Sequence, residues 1–340
     1  MAEATARLTD RTGLDLPKRL TVRVLTDGKA GDEQPCVAIA EALGLRPDLR
    51  HVYPRRPFTW LMPRGPIDPA EAPDRPGSPI GPPWPDIALA SGRRAVPYLR
   101  ALKRAAGDRT LTVFLKDPRV GPEVADLIWA PSYDAIRGPN VLTTLTSPHR
   151  LSAEQLSRLR ADPDPRIAVL PSPRAAVLVG GPGRRTRFDG ADIRRLLDAL
   201  TRLAASGTSL AVSTSRRTPA PLVRALRDLV AIAGGFLWNG EGENPHLAIL
   251  ALADMVVVTA DSVNMLSEAV ATGAPVLAFE LPGAARRHRL LLAGLYEAGV
   301  TRPFDGQPER FTYEPLDSTP LIAQAIEGRL ARHLKGRGPA

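Results

Sequence analysis

The stretch that most constrains the fold is a strand–turn–helix–strand unit in the last third of the 340-residue chain. Met255–Thr259 is a short run of apolar and β-branched residues, which is typical of a buried parallel strand. Asp261 and Ser262 then offer a cap for a segment with helical spacing, and Gly273 and Pro275 separate that helix from a second apolar run. The turn therefore falls at the carboxyl end of a strand, where open α/β sheets bind ligands.

The same alternation of short apolar runs and helical segments recurs along the whole chain. It predicts an α/β protein with two Rossmann-like domains, whose parallel sheets face a cleft. A proline-rich break near residues 162–174 marks the linker. We therefore expect an N-terminal domain over residues 1–165, a C-terminal domain over residues 166–315 and a final helix within residues 316–340. Residues 54–85 are rich in Pro, Arg and Gly and predict an irregular surface segment.

The composition is that of a globular chain with a basic surface. Lys and Arg number 45 against 36 Asp and Glu, which gives a net charge of +9. This charge favours phosphate-bearing ligands, but the arginines are scattered and aromatic residues make up only 5%, so we expect no nucleic-acid partner. A single cysteine, Cys36, and the lack of a long uncharged apolar window predict a cytoplasmic protein, with room for a peripheral contact at the inner membrane.

A glycine-bearing turn follows the first predicted strand. Gly28, Lys29 and Gly31 lie between that strand and a helix, a geometry suited to binding phosphate on an acceptor. The glycine spacing matches neither a P-loop nor a dinucleotide fingerprint. Asp32 is either the helix N-cap or a general base, and Asp117, at another strand end, is either a second candidate base or a turn residue.

Glycines and polar residues also follow strands in the second half. Gly180 and Gly181 would let the backbone approach a phosphate closely, or they form a plain turn. Hydroxyl and guanidinium groups after the next strand suit two phosphoryl groups, although a solvated loop has the same composition. These groups belong to Ser213, Thr214, Ser215, Arg216 and Arg217. The Gly-rich loop from Trp238 to Asn244 could contact a base or a sugar. The sequence has no cluster with metal-ligand spacing, so we expect binding without a metal or a cofactor.

The opening stretch resembles the nucleotide-sugar site of GT-B glycosyltransferases, the group that includes the lipid II-forming transferase MurG. In that group a small-residue turn meets the diphosphate and a helix Glu binds the ribose hydroxyls. The resemblance would place Asp261 and Ser262 beside the diphosphate and Glu268 on the ribose. An ordinary βαβ unit with a solvated Glu is the alternative.

Six motifs in order resemble those of the mitochondrial-fission ELM family. They are VLTDGKAGDEQPCVAIAEALG, SGRRAVPYLRALKR, GGPGRRTRF, STSRRTP, WNGEGENPH and ADSVNMLSEAVATGAPV. The resemblance implies a GT-B-like fold, and the plant member is described as an adaptor that recruits a dynamin-related protein to mitochondria. We favour metal-independent transfer from a nucleotide-diphosphate sugar to a lipid-linked or glycan acceptor at the envelope. A non-catalytic adaptor and a sugar-nucleotide epimerase are the alternatives.

Overall fold

The computed structural model describes residues 20–183, 188–238 and 240–335. Residues 1–18, for which the sequence predicts a flexible lead-in, lie outside these ranges, as do parts of two of the family motifs. The strands are β1 (Val22–Thr26), β2 (Pro47–His51), β3 (Ile87–Ser91), β4 (Leu111–Leu115), β5 (Leu127–Pro131), β6 (Val141–Thr144), β7 (Arg174–Val179), β8 (Ser209–Thr214), β9 (Phe236–Trp238), β10 (Met255–Thr259), β11 (Val276–Phe279) and β12 (Thr301–Pro303).

Helices connect most of these strands. The α-helices are α1 (Ala30–Ala42), α2 (Phe58–Leu61), α3 (Ala95–Ala106), α4 (Ala153–Ala161), α5 (Pro165–Ala168), α6 (Gly190–Ala205), α7 (Ala220–Ala233), α8 (His246–Ala251), α9 (Val263–Val270), α10 (Arg286–Glu297) and α11 (Thr319–Lys335). Within the described part of the chain, no helix combines the length and apolar character needed to span a bilayer.

The chain divides into two compact units. Unit 1 comprises Met1–Arg150 together with Ser318–Ala340, and unit 2 comprises Leu151–Asp317. The division therefore falls at residue 150 and not at the predicted residue 165, because α4 belongs with the second unit. The predicted separate C-terminal helix belongs to unit 1, since Ile322 and Ile326 of α11 pack in the same buried cluster as Val24 of β1.

Unit 1 is built on a parallel sheet of six strands in the order β2-β1-β3-β4-β5-β6. The central strands β1, β3, β4 and β5 are buried at every position, because helices cover both faces of the sheet. Successive side chains of β1 point to opposite faces: Val24 packs with α1 and α11, and Leu25 packs with α3. The strand order reverses between β1 and β3, which places a topological switch point there.

Unit 2 is also a parallel six-stranded sheet, in the order β12-β11-β10-β7-β8-β9. Counted from β7, this is the 3-2-1-4-5-6 order of Rossmann folds. Val177 of β7 and Val257 of β10 lie at the centre of the core, with Leu196 of α6 and Leu222 of α7 packed against them. The switch point falls between β7 and β10, where this class of sheet binds its ligands.

The predicted fold class, α/β with two Rossmann-like parallel sheets, is confirmed. Several boundaries differ from the prediction. Helix α1 begins at Ala30, so Gly31 lies in the helix and not in the turn. Strand β8 continues through Ser213 and Thr214, which are buried. Strand β12 was not predicted, because its three residues contain an Arg and a Pro and carry no apolar alternation.

Candidate functional site

A buried carboxylate occupies the switch point of unit 2. Asp261 follows β10, and its side chain is 0% exposed. One carboxylate oxygen accepts hydrogen bonds from the Gly181 amide at 3.1 Å and from the Arg217 guanidinium at 2.8 Å. The other oxygen accepts from the Thr259 hydroxyl at 2.7 Å, and that hydroxyl itself accepts from the Gly180 amide at 2.8 Å. The two glycine amides of the turn after β7 are therefore satisfied within the protein, one by Asp261 directly and the other through Thr259.

The two glycines of this turn are required by packing. A Cβ on Gly180 would lie 2.2 Å from the Asp261 carboxylate oxygens, and a Cβ on Gly181 would lie 2.0 Å from the carbonyl oxygen of Arg217. Neither distance is compatible with a side chain, so any other residue would displace the neighbouring backbone or break the carboxylate cluster. The turn thus belongs to an internally bonded group of Gly180, Gly181, Asp261 and Arg217, in which both glycine amides donate hydrogen bonds within the protein.

A cavity of about 270 Å³ lies at the carboxyl ends of β7 and β8. It is lined by residues from the strand ends, the Gly-rich loop and two helices, namely Leu178, Val179, Ser213, Thr214, Ser215, Arg216, Trp238, Asn244, His246, Met265 and Glu268. The structure therefore brings together five predicted binding residues, Ser213, Ser215, Arg216, Asn244 and Glu268. Apolar walls with a few converging polar groups are the usual make-up of a small-molecule site.

Glu268 on α9 is held in place by a histidine from another element. The Glu268 carboxylate lies 3.0 Å from Nε2 of His246, the first residue of α8, and both side chains are 22% exposed. Since this contact uses one carboxylate oxygen, the other remains able to accept hydrogen bonds inside the cavity. The role of His246 was not predicted from the sequence, because 22 residues separate it from its partner.

The α9 N-terminus is capped by the protein itself. The Ser262 hydroxyl accepts a hydrogen bond from the Met265 amide at 3.4 Å, so Ser262 serves as the N-cap. Arg216 follows β8 and is exposed at the rim of the cavity. The Ser215 hydroxyl contacts the Thr218 hydroxyl at 3.2 Å, and Thr218 in turn donates to the Gly180 carbonyl at 2.7 Å. The β8–α7 loop is thereby fastened to the turn after β7.

His288, in the first turn of α10, is a titratable group of unit 2 whose pKa is shifted by burial. Burial lowers the pKa of His288 below its ordinary value, and the positive charge of Arg287 adds to the effect. The Asp261 carboxylate acts in the opposite direction but does not reverse it. His288 is therefore neutral over a wider pH range than a free histidine.

In unit 1, the first predicted base is committed to an ion pair. Asp32 lies in the first turn of α1, after the N-cap Lys29, so the alternative that Asp32 itself caps the helix is wrong. Its carboxylate lies 2.6 Å from the Lys116 ammonium, which also contacts the Gly31 carbonyl. Lys116 follows β4 and has a φ of +90°, a strained conformation for a residue with a side chain. The strained residue is therefore the one whose ammonium group pairs with Asp32.

The other unit 1 candidates take part in turns. The Asp117 carboxylate accepts a hydrogen bond from the Arg119 amide at 2.7 Å, as expected of a turn residue. The Lys29 ammonium contacts the buried Asp27 carboxylate. Gly28 has a φ of +77° and lies beside the His51 ring, so the turn requires glycine for its backbone conformation.

A chain of polar contacts that was not predicted from the sequence lies at this edge of unit 1. The Glu33 carboxylate lies 2.6 Å from Nε2 of His51, and the Tyr53 hydroxyl lies 3.2 Å from the other ring nitrogen. Glu33 and His51 come from α1 and β2, so only the folded sheet brings them together. Among the described residues, no group of three His, Cys, Asp or Glu side chains is arranged to hold a metal ion. Burial raises the pKa of the Cys36 thiol well above its ordinary value, in keeping with a packing role.

Fold and site together define a two-unit α/β protein of the Rossmann type, with polar groups gathered at the carboxyl edge of each sheet. A family model described as "Mitochondrial fission ELM1" matches residues 30–330. The chain belongs to this family.

Two relatives show how far the similarity extends. The "Mitochondrial fission protein ELM1" of Arabidopsis thaliana is 29% identical over 275 residues, which cover 73% of this chain and 64% of the plant protein. The "Uncharacterized protein RP120" of Rickettsia prowazekii (strain Madrid E) is 29% identical over 160 residues, covering 44% of this chain and 45% of that protein. The matched part thus spans less than two thirds of either relative.

Three solved structures align with most of this chain. MurG of Acinetobacter baumannii is 17% identical, with 95% of this chain and 96% of that chain covered and a TM-score of 0.47. The UDP-GlcNAc 2-epimerase from Methanocaldococcus jannaschii is 11% identical over 90% of this chain and 99% of that chain, with a TM-score of 0.49. The ADP-heptose lps heptosyltransferase II of E. coli is 14% identical over 94% and 100%, with a TM-score of 0.42.

Proposed function

We propose that unit 2 binds a nucleotide-diphosphate sugar and that the protein transfers the sugar to a lipid-linked or glycan acceptor without a metal ion. The observation that carries the proposal is the cavity at the carboxyl ends of β7 and β8, where Trp238, Glu268 and Arg216 line one space. An aromatic ring, a carboxylate and a guanidinium are the groups that suit a base, a ribose and a phosphate.

The nucleoside would bind between Trp238 and Glu268. A carboxylate accepts hydrogen bonds from both hydroxyls of a ribose, and the contact with His246 at 3.0 Å already fixes the position of Glu268. Because this acceptor is oriented before binding, little side-chain entropy is lost when the ribose enters. Asn244, in the loop that lines the same cavity, would contact the base or the sugar.

The diphosphate would be bound mainly by side chains of the β8–α7 loop. Arg216 can contact two phosphate oxygens at once, and Ser213 and Ser215 supply hydroxyl donors in the same cavity. The amides of Gly180 and Gly181 contribute only if Asp261 and Thr259 release them, because both amides are engaged. Ser262 and the N-terminal end of α9 add the favourable field of a helix dipole.

The acceptor would bind at the carboxyl edge of the unit 1 sheet. Lys29 is exposed there and carries the charge that a phosphate on a lipid-linked acceptor requires. Asp32 and Asp117 remain the proposed general bases, with Lys116 as the group that holds Asp32. The protein would act in the cytoplasm, at or near the inner membrane face, with no nucleic-acid partner.

A non-catalytic adaptor is the second candidate, and the buried Asp261 favours it. The Asp261 carboxylate satisfies the turn that would otherwise meet a diphosphate, so the turn is stable without a ligand. The name of the Arabidopsis relative, a mitochondrial fission protein, is consistent with such a role. The adaptor proposal predicts no binding of a nucleotide-sugar, so a binding measurement separates the two candidates.

The experiment is a thermal-shift titration of the intact chain with UDP-, GDP- and ADP-sugars. A specific donor at about one hundred times its Kd stabilises the folded protein by about 2.7 kcal/mol. Glu268→Gln keeps the size of the side chain and removes its charge, so we expect the affinity to fall about ten- to hundredfold. Glu297→Gln, an exposed carboxylate on α10, is the matched control and should bind like the wild type. A shift that Glu268→Gln leaves unchanged contradicts the ribose assignment, and no shift with any donor favours the adaptor.

A further inference from the structure

We propose that unit 1 docks on a bilayer surface that carries anionic phospholipids. The docking surface lies around α2 and the adjoining side of α3, and we call it the Trp60 surface. It comprises Arg56, Trp60, Leu61, Arg64, Arg100 and Arg104. This proposal does not depend on the nucleotide-sugar proposal, because the Trp60 surface contains none of the residues placed in either sheet-edge site.

The apolar part of the Trp60 surface is a pair of adjacent exposed side chains. Trp60 is 68% exposed and Leu61 is 54% exposed, although the next residue, Met62, is only 3% exposed. Helix α2 is fixed in this position, since the Thr59 hydroxyl donates to the Pro54 carbonyl at 2.6 Å and Arg93 donates to the Thr59 carbonyl at 3.4 Å. The hydrogen-bonded α2 segment therefore keeps two large apolar side chains exposed to solvent.

A groove of about 550 Å³ adjoins this turn. Arg64 and Ile67 line one side, and Pro97, Arg100 and Arg104 of α3 line the other. Arg100 and Arg104 are four residues apart, so they lie on the same side of the helix and repel each other. Among the described residues that line the groove, three are arginines and none is acidic. The groove has apolar walls and a positive charge that an anion would neutralise.

In the part of the chain that the structure describes, the arginines of the Trp60 surface have no acidic partners. Within the described residues, Arg56, Arg64, Arg100 and Arg104 form no ion pair with a carboxylate, whereas Lys103 of the same helix lies 2.5 Å from Asp126. Arg56 lies 5.8 Å from the centroid of the Trp60 ring and thus adjoins the apolar pair. Charge that is left uncompensated beside exposed apolar groups is best matched by a surface that is both negative and apolar.

An anionic bilayer has both properties. Trp side chains prefer the interface between headgroups and acyl chains, and arginines beside them pair with phosphate while their stems cover apolar surface. Each basic residue near an anionic surface contributes about 1 kcal/mol, which corresponds to about fivefold in binding. A free phosphate would account for the arginines but not for the exposed Trp60 and Leu61. An acidic protein is a further occupant that the test below separates from a bilayer.

The experiment is co-sedimentation of the full chain with vesicles at about 0.15 M salt. Vesicles of phosphatidylcholine with one third phosphatidylglycerol should bind the protein, and phosphatidylcholine alone should bind much less. The double variant Arg100→Gln, Arg104→Gln should weaken binding about 25-fold, at about fivefold for each charge. Arg224→Gln, Arg227→Gln on α7 makes the same change in net charge on exposed residues of unit 2, and should leave binding nearly unchanged.

The apolar contribution is tested separately. Trp60→Ser should weaken vesicle binding roughly tenfold, because partial burial of an indole ring is lost. Ile232→Ser is the matched control, since Ile232 is 88% exposed on unit 2 and should not contact the vesicle. Brominated lipids should quench a part of the tryptophan fluorescence that Trp60→Phe abolishes, a readout that needs no destabilising change.

Several outcomes would overturn the proposal. Equal binding to neutral and anionic vesicles, or equal losses in the α7 control and the α3 variant, would exclude the Trp60 surface as an anionic-lipid site. Release of bound protein by millimolar inorganic phosphate would indicate a site for free phosphate. Binding to polyglutamate but not to vesicles would indicate an acidic protein partner.

Discussion

Replacing Asp261 by alanine tests the structure of the candidate site at its most constrained point. The carboxylate is fully buried and accepts hydrogen bonds from the Gly181 amide, the Thr259 hydroxyl and the Arg217 guanidinium. The Arg217 side chain is 44% exposed, so water can replace its partner and we count nothing for it. The Gly181 and Thr259 donors, by contrast, are left inside the protein without an acceptor.

The expected loss in the free energy of unfolding follows from the Gly181 and Thr259 donors. An unsatisfied buried donor costs about 1–3 kcal/mol, and the Thr259 hydroxyl can recover part of this by turning towards the Leu178 carbonyl, 3.5 Å away. We therefore expect Asp261→Ala to reduce the free energy of unfolding by about 2–4 kcal/mol. For a unit of this size that loss lowers Tm by roughly 5–15 °C. Asp261→Asn keeps an acceptor and should fall between the wild type and Asp261→Ala.

The assay is differential scanning calorimetry, supported by urea unfolding. Asp198→Ala is the matched control, because Asp198 is an exposed carboxylate on α6 and its loss should change stability by less than about 0.5 kcal/mol. If Asp261→Ala melts within one or two degrees of the control, the Gly181 and Thr259 donors are satisfied elsewhere. The account of the switch point given above would then be wrong.

Three further changes have expected outcomes. Gly181→Ala should destabilise unit 2 by about 1–3 kcal/mol in urea unfolding, because its Cβ would meet the Arg217 carbonyl at 2.0 Å. Gly190→Ala should not, because its Cβ would meet only the Arg194 guanidinium, at an ordinary contact distance of 3.6 Å. Burial lowers the pKa of His288, so just below pH 6.5 the unfolded chain takes up a proton more readily than the folded protein, and stability falls there as the pH falls. His288→Asn should therefore make the decline in Tm from pH 7 to pH 5 shallower. An unchanged slope would contradict this. The Arg55 guanidinium lowers the pKa of Asp68 far below its usual range, so this contribution is fully present above about pH 4 and is lost progressively as the pH falls. The stability gap between wild type and Asp68→Asn should therefore narrow steadily from about pH 4 to about pH 2, and a constant gap would refute it.

Much of the fold could be predicted because local chemistry and tertiary structure agree in this chain. Met255–Thr259 was predicted as a strand with these bounds, since five consecutive apolar or β-branched residues suit a strand buried on both faces. Asp261 and Ser262 were predicted to offer the N-cap of the next helix, and Ser262 is the N-cap of α9. The 3.6-residue spacing of leucines likewise predicts α6. Each of these signals depends only on residues within one helix or strand, so the sequence alone is enough to predict the element.

The ends of the strands were harder to predict, because polar residues can continue a buried strand. Ser213 and Thr214 were predicted to follow the strand, yet both belong to β8 and are only 6% exposed. The Thr214 hydroxyl donates to the Trp238 carbonyl at 3.1 Å, which satisfies it inside the sheet. The assignment of α11 to unit 1 also had no local signal, since it depends on contacts with residues near the other end of the chain.

The candidate site could be predicted only in part, for the same reason. Glu268 and Arg216 were predicted from the resemblance and from residue type, and both line the cavity. The partners that decide what these groups can do lie far away in sequence: His246 precedes Glu268 by 22 residues, and Gly181 meets Arg217 across 36. Whether a glycine amide is free or engaged depends on such contacts, and no spacing in the sequence reports them.

The most direct test of the central claim is isothermal titration calorimetry of the intact chain with UDP, GDP and ADP. The account predicts that one of them binds saturably, one molecule per chain, and that Glu268→Gln weakens this binding while Glu297→Gln does not. If none of the three nucleotides binds at millimolar concentration, unit 2 is not a nucleotide-sugar site, and a non-catalytic adaptor becomes the better description of the protein.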